Sequence, residues 1–172
     1  MLRIDFMLKH MQGKVLDIGC AGEDGKGLMH SKLMASGCDI YGLDLKPLNV
    51  PLFVIGDCQA LPFRDECFDT VIMGQVIEHI EAPCLALREA RRVLYPDGIL
   101  IITTPNAYSW DKILGHVIKN HEQEQNIGHK WLFTPAMLER MVRLAGFGVE
   151  ELRVIKSGHR LGHQIALCAV KI

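Results

Sequence analysis

The stretch that decides the fold is KVLDIGCAGEDGKG, residues 14–27. Its first part is apolar except for one acid after the opening lysine, a pattern typical of a strand buried on both faces of a parallel sheet. Its second part is rich in glycine: Gly19 permits a tight turn, and Gly22 lets a ligand approach the backbone closely. The stretch therefore predicts the first strand-to-helix turn of an α/β sheet, which is a usual ligand site.

Further apolar runs alternate with helix-length segments along the chain. Helices are predicted at 26–36 and 83–94 from the spacing of their apolar residues. Strands are predicted at 39–45, 52–56, 68–74 and 98–104. This alternation predicts an open, doubly wound α/β sheet with helices on both faces.

The end of the chain has a different pattern. Thr134 as N-cap, Pro135 at the first helical position and Gly146 as C-cap delimit one more helix. Two segments that are predicted to be strands follow at 148–157 and 163–172, and the segment between them is too short for a crossover helix. We therefore expect a closing strand pair that is antiparallel.

Residues 106–130 interrupt the repeat of strands and helices at the end of the fifth predicted strand. Their first half contains Tyr108 and Trp110 among aliphatic residues, and their second half is polar. Long excursions at this edge of a sheet are commonly lids or binding loops. We expect 106–130 to be a lid insertion that is closed by His129 and Trp131 and forms the substrate pocket.

Composition limits the class of protein. The chain has 172 residues, 49% of them hydrophobic, and a formal net charge of −1, which predicts one domain over 1–172 and no nucleic-acid partner. The six cysteines include no CxxC pair, and the N-terminal segment carries charges where a signal peptide would be apolar. No apolar stretch approaches the roughly 20 residues of a membrane span. We expect reduced thiols in a cytoplasmic protein.

Three acids are predicted to surround the ligand cleft. Asp17 precedes the glycine turn, and Asp44 lies 25 residues after Gly19, close to the spacing of roughly 20 at which a carboxylate reaches a ribose diol. Asp57 ends the third predicted strand, where it is placed to meet an adenine amino group. Together these acids favour a ligand that contains a ribose and carries positive charge.

The glycine turn departs from the dinucleotide pattern GxGxxG. Ala21 and Asp24 stand at two of its glycine positions, and Glu23 adds a second carboxylate at the helix entrance. Carboxylates beside a pyrophosphate are unfavourable. An NAD-dependent oxidoreductase is therefore disfavoured, and the chain is also too short for a separate substrate domain.

Five stretches resemble, in order and spacing, the successive motifs of class I S-adenosylmethionine (SAM)-dependent methyltransferases. The resemblance is strongest to the small-molecule branch that contains the ubiquinone-biosynthesis methyltransferases. The stretches are VLDIGCAG, YGLDL, GDCQALPF, FDTVIMGQVIEHI and REARRVLYPDGILIITTPN. The resemblance implies a Rossmann-like sheet of seven strands in the order 3-2-1-4-5-7-6 with strand 7 antiparallel. It also implies SAM as cofactor and S-adenosylhomocysteine (SAH) as product.

The same resemblance assigns the binding of the cofactor. The turn 19–22 matches the loop beneath the methionine part of SAM, Asp44 matches the ribose acid, and Gln75 matches a position near the sulfonium. Asp57 and Cys58 match the adenine contacts. The implied cofactor-binding residues are Asp17, Gly19, Cys20, Ala21, Gly22, Asp44, Leu45, Asp57, Cys58 and Gln75.

Catalysis by such a protein needs in-line alignment of acceptor, methyl and sulfur, and a hydroxyl acceptor also needs a base. His79 and His129 are the candidate catalytic residues. The alternatives are a surface histidine for His79 and a residue that supports the last helix for His129. No metal is predicted, because HEQEQ at 121–125 lacks the second histidine of the zinc signature.

The implied function is SAM-dependent methyl transfer to a small-molecule acceptor, or to a glycan or lipid precursor, by in-line displacement. The alternative is a non-catalytic methyltransferase-like module that binds SAM, SAH or a partner. Ala21 and Glu23, which replace usual loop glycines, favour that alternative. The identity of the acceptor and the oligomeric state stay open.

Overall fold

Seven strands and four α-helices make up the described part of the computed structural model, which covers residues 1–22, 25–109, 128–156 and 163–172. The helices are α1 Arg3–His10, α2 Leu28–Met34, α3 Pro83–Val93 and α4 Pro135–Leu144. The strands are β1 Lys14–Ile18, β2 Asp39–Asp44, β3 Phe53–Ile55, β4 Phe68–Gly74, β5 Leu94–Pro105, β6 Phe147–Lys156 and β7 His163–Lys171. A 3-10 helix, Ile77–His79, follows β4.

The strands form one sheet in the order β3-β2-β1-β4-β5-β7-β6. Strands β1 to β5 pair in parallel, whereas β7 is antiparallel to both β5 and β6. The predicted fold class and strand order are confirmed. Because the chain proceeds outward in opposite directions from β1 and from β4, a crevice opens at the carboxyl ends of these two strands.

Both faces of the central strands are buried. Val71 and Leu100 belong to a core cluster that includes residues of α3, while their neighbours Ile72 and Ile101 belong to a second cluster with residues of α1 and α2. Successive side chains of a strand point to opposite faces, so burial on both faces requires apolar residues at nearly every position. This explains why the strands are continuous apolar runs in the sequence.

Helix α4 begins and ends at the predicted cap residues, whereas strand β5 begins earlier than predicted. The Thr134 hydroxyl accepts a hydrogen bond from the Met137 N–H at 3.2 Å, and Gly146, at φ +87°, follows the end of α4. Strand β5 begins at Leu94, before the predicted start at 98, because Leu94 already pairs with Phe68 of β4. No helix in the described ranges is both long and apolar enough to cross a membrane.

Parts of the predicted lid insertion, of the glycine turn and of the predicted closing strand pair lie outside the residues that the structure describes. Most of the predicted lid insertion, residues 110–127 with Trp110, lies outside the described residues. Residues 23–24 of the glycine turn and 157–162 between β6 and β7 also lie outside them. Tyr108, at the beginning of the insertion, is exposed.

Candidate active site

The turn after β1 requires glycine at its first position. Gly19 has φ +74°, and a Cβ built there would lie 2.2 Å from Val76 Cγ2, which is closer than side chains tolerate. The Gly19 N–H donates to the Leu43 carbonyl of β2 at 2.7 Å, and Gly22 also has a positive φ of 70°. The turn is therefore held tightly between the ends of β1, β2 and β4.

Asp44, the last residue of β2, is bonded directly to this turn. Its Oδ2 accepts from the Ala21 N–H at 3.0 Å, and its Oδ1 accepts from the Lys46 N–H at 2.9 Å. Each carboxylate oxygen can accept more than one hydrogen bond, so the half-buried carboxylate keeps capacity for ligand hydroxyls. The structure thus brings the predicted ribose acid and the predicted turn together, while the neighbouring Leu45 is 71% exposed.

Asp17 has a buried partner that the sequence analysis did not name. Its Oδ2 lies 2.9 Å from Nδ1 of His30, which is itself fully buried on α2. Burial raises the pKa of Asp17, and the bond to His30 acts in the opposite direction. One signal was available: His30 lies three residues before the buried Leu33 on the same face of α2, and a buried histidine needs a polar partner.

Arg3, at the start of α1, brings a positive charge close to the crevice. Partial burial lowers the pKa of its guanidinium, and the charges of Glu78 and Asp17 act in the opposite direction. Arg3 therefore interacts electrostatically with an acid of β1 and with an acid that follows β4. The sequence analysis missed Arg3 because nothing in the local pattern of α1 places it near either acid.

The predicted adenine contacts differ in exposure. Asp57 is exposed, and its Oδ1 accepts from the Gln59 N–H at 2.9 Å, as in an Asx turn. Cys58 is buried, and burial raises the pKa of its thiol to about 12, as it also does for Cys20. Both cysteines are therefore neutral thiols at physiological pH and offer apolar surface rather than a nucleophile.

Gln75, directly after β4, is held in an uncommon backbone conformation. Its φ is +63°, and its N–H donates to the Thr103 carbonyl at 2.8 Å. Its side-chain Nε2 is buried and has no hydrogen-bond partner among the described residues. A positive φ in a residue other than glycine, combined with an unpaired buried amide, is typical of a binding site.

The two predicted catalytic histidines lie against each other. The rings of His79 and His129 are 4.6 Å apart between centroids, at an interplanar angle of 72°. Nδ1 of His79 lies 2.9 Å from the Gly128 carbonyl oxygen. A carbonyl can only accept, so Nδ1 carries the proton and, in the neutral ring, Nε2 of His79 keeps its lone pair.

Backbone hydrogen bonds fix the end of the insertion to the 3-10 helix. The Glu78 carbonyl oxygen accepts from the N–H groups of Lys130 at 2.7 Å and Trp131 at 3.1 Å. The Trp131 indole Nε1 donates to the Ile80 carbonyl at 2.9 Å. These contacts set the position of His129 beside the 3-10 helix. The distance between His79 and His129 along the sequence does not indicate this proximity.

Glu78 gives this site a buried carboxyl group. Its Oε2 accepts from the Thr104 hydroxyl at 2.9 Å, its Oε1 has no partner within the described ranges, and burial raises its pKa. Ligand atoms of Glu78, His79 and His129 lie within 4.8 Å of one another. No metal was predicted from the sequence, where residues 121–125 were the segment compared with a zinc signature. The carboxylate of Glu78 and the imidazoles of His79 and His129 are nevertheless chemically suited to bind a divalent cation.

Sequence comparison identifies the family. Residues 16–102 match the family described as Methyltransferase domain. The chain belongs to this methyltransferase family. The Ubiquinone biosynthesis O-methyltransferase of Azorhizobium caulinodans is 31% identical over 163 residues, which cover 84% of this chain and 63% of the relative. The chain therefore spans less than two thirds of the length of that relative.

Solved structures agree with the methyltransferase fold. The cyclase SpnF superposes with a TM-score of 0.75 at 19% identity and covers 98% of this chain and 79% of its own. The 1,6-didemethyltoxoflavin-N1-methyltransferase of Burkholderia thailandensis, solved with SAH, has a TM-score of 0.70 at 16% identity and covers 93% and 72%. At these identities the likeness concerns the fold alone. The predicted class I SAM-dependent methyltransferase family is confirmed by the family match and the curated relative.

Proposed function

We propose that this methyltransferase binds SAM across the carboxyl ends of β1, β2 and β4 and transfers its methyl group to a hydroxyl of a small molecule. The observation that carries the proposal is the hydrogen bond from the Ala21 N–H to the Asp44 carboxylate. It joins the acid that would hold a ribose to the turn that would lie beneath the methionine part. The two halves of the proposed SAM site are therefore neighbours in the fold.

The nucleoside part of SAM would lie along the ends of β2 and β3. Asp44 would accept hydrogen bonds from the ribose hydroxyls with the capacity left on its two oxygens. The exposed carboxylate of Asp57 would accept from the adenine amino group, and the buried Cys58 would contact the ring. The departure of the glycine turn from the dinucleotide pattern GxGxxG, at Ala21 and Asp24, favours this ligand over a dinucleotide.

The methionine tail of SAM carries a carboxylate, an ammonium and the sulfonium, and polar groups of the described residues would meet the first two. The half-buried guanidinium of Arg3 would pair with the carboxylate. Carboxyl oxygens of Asp17 and Glu78 would accept hydrogen bonds from the ammonium. The unpaired amide Nε2 of Gln75 would donate to the tail.

Methyl transfer breaks the methyl carbon–sulfur bond, whose electron pair returns to sulfur, and forms a carbon–oxygen bond to the acceptor. The hydroxyl proton would go to Nε2 of His79, which the Gly128 carbonyl leaves as the basic nitrogen. An oxygen acceptor is supported by this basic group and by the curated O-methyltransferase relative. In-line alignment within a site that excludes water would supply most of the remaining acceleration.

A panel of acceptors tests this proposal. Phenol and catechol compounds would be incubated with SAM beside the amine and thiol with the same carbon skeleton, and SAH release and the methylated product would be measured. We expect methyl ethers from the hydroxyl compounds. Methylation of only the amines or thiols would contradict a hydroxyl acceptor, and SAM binding without any turnover would favour the non-catalytic module.

The same assay separates a histidine base from a metal. With His79 as the base, a chelator such as EDTA leaves SAH release unchanged. If EDTA abolishes release and Mg²⁺ restores it, a cation held by Glu78, His79 and His129 activates the acceptor instead.

We also propose that the insertion 106–130 is the lid over the acceptor. Both of its described ends lie beside the site: Asn106 forms a bridge with Phe133, and Gly128 accepts the bond from His79. Replacing 108–128 with a Gly/Ser linker should keep SAH affinity within about twofold and abolish methyl transfer, because the proposed cofactor contacts lie elsewhere. Retained turnover in this variant would contradict the lid.

A further inference from the structure

A groove runs between α3 and α4, remote in sequence from the glycine turn. Its volume is about 510 Å³, and it is lined by Cys84 and Arg88 of α3 and, along one side of α4, by Met137, Arg140, Met141 and Leu144. Met137 and Leu144 are 37% and 80% exposed, although both are large and apolar. Side chains of this kind, clustered on one concave surface, are typical of an interaction site.

The charges at this groove have one sign. Arg88 and Arg140 both line it, and no acidic side chain among the residues that the structure describes does. Neither arginine forms an ion pair or a hydrogen bond within the ranges that the structure describes, whereas Arg143 on the same helix is paired with Glu139 at 2.8 Å. The groove therefore offers two uncompensated positive charges beside an apolar surface, which complements a ligand that is apolar and acidic.

The shape of the groove favours an inserted helix. The lining residues of α4 extend from Ala136 to Leu144, which is roughly 12 Å at 1.5 Å per residue, or between two and three helical turns. Two flexible methionines, Met137 and Met141, line it, and methionine-rich grooves adapt to the apolar stripe of an amphipathic helix. A flat bilayer surface would not fill a concave groove between two helices.

The described helices of a second copy of this chain do not complement the charges of the groove. The described helices α1 and α3 carry more basic than acidic residues, α2 has no acid, and α4 contains a single one, Glu139. We infer that the groove binds an amphipathic helix of another protein, with acidic residues flanking an apolar stripe. None of the lining residues of the groove is among the residues proposed to bind SAM, so substitutions in the groove leave those contacts in place.

A display library of amphipathic helices provides the test. A small helical scaffold would carry leucine at positions i, i+3, i+4 and i+7, with the flanking positions randomised between glutamate and lysine, and would be selected against the whole protein. We expect enrichment of glutamate. Binding of a selected helix should fall about tenfold or more in Arg140→Glu and in Arg88→Glu, because each reversal replaces an attraction with a repulsion.

Two controls use the selected helix: a charge reversal outside the groove, and the reactivity of a cysteine inside it. Arg143→Glu should change helix affinity by less than about threefold, and all three variants should bind SAH like the wild type. Cys84 is the one exposed cysteine of the six, so a bound helix should slow its alkylation by iodoacetamide.

Several results would overturn the inference. They are selection of lysine or of no charge preference, unchanged binding in Arg140→Glu, or unslowed alkylation of Cys84 by a bound helix. Binding to phosphatidylglycerol vesicles that Arg140→Glu abolishes, with no helix selected, would assign the groove to a lipid surface instead. Self-association lost in Arg140→Glu would assign it to a second copy.

Discussion

Replacing Asp44 with alanine removes the group on which the proposed SAM site depends. Hydrogen bonds to a charged acceptor contribute about 1.5 to 3 kcal/mol, so losing the ribose contact should weaken SAH binding about 10- to 150-fold. The variant also loses its bonds from the Ala21 and Lys46 N–H groups. Because Ala21 is fully buried, its unpaired N–H should cost roughly 1 to 3 kcal/mol of folding free energy.

The two effects are separated by measuring both quantities. SAH affinity would be obtained by calorimetric titration, and the free energy of unfolding by urea denaturation of the same preparations. Asp44→Asn keeps one carbonyl acceptor and removes the charge, so it should lie between the wild type and alanine in both measurements. Asp39→Ala is the matched control, because Asp39 is the exposed aspartate at the opposite end of β2.

Two results would contradict the assignment of Asp44 to the ribose. If Asp44→Ala is folded at the titration temperature and binds SAH as tightly as the wild type, the carboxylate does not hold the ribose. Equal losses of SAH affinity in Asp44→Ala and Asp39→Ala would show a general effect of altering β2 rather than a contact. Only a selective loss in Asp44→Ala supports the assignment.

Two further predictions concern the proposed base His79 and the buried acid Asp17. His79→Ala should keep SAH affinity within about twofold and lower turnover roughly 100-fold or more, and unchanged turnover from pH 6 to 8 would make His79 a bystander. For Asp17, burial raises the folded pKa above 3.8, so the native state binds more protons and this carboxyl's contribution to stability falls as pH rises above that value. Asp17→Asn should therefore gain stability relative to the wild type as pH rises from about 3 to 7, and a constant difference in the free energy of unfolding would contradict this.

The central strands could be predicted because their signals are local, whereas the strand order was implied by the resemblance to a known family. Strands that are buried on both faces must be apolar throughout, and each was visible as a continuous run. The cap residues Thr134 and Gly146 determine the ends of α4 through local conformation and a hydrogen bond within one turn, so the ends of this helix could also be predicted. The start of β5 was misplaced because Leu94 is positioned by pairing with Phe68 of another strand, which is not a local signal.

The site could be predicted only where it follows a strand end. Asp44 and the glycine turn meet because parallel strands end at one edge of the sheet. The contact between His79 and His129 depends on how the chain returns after the insertion, and no periodicity encodes that return. The approach of Arg3 to Glu78 depends in the same way on the packing of α1.

Calorimetric titration of the purified protein with SAH, with NAD as the control, decides whether the glycine turn and Asp44 belong to a SAM site. We expect binding of SAH at one site per chain, competition by SAM, and no heat of binding with NAD. A flat trace with both SAH and SAM, from protein shown to be folded, would contradict it.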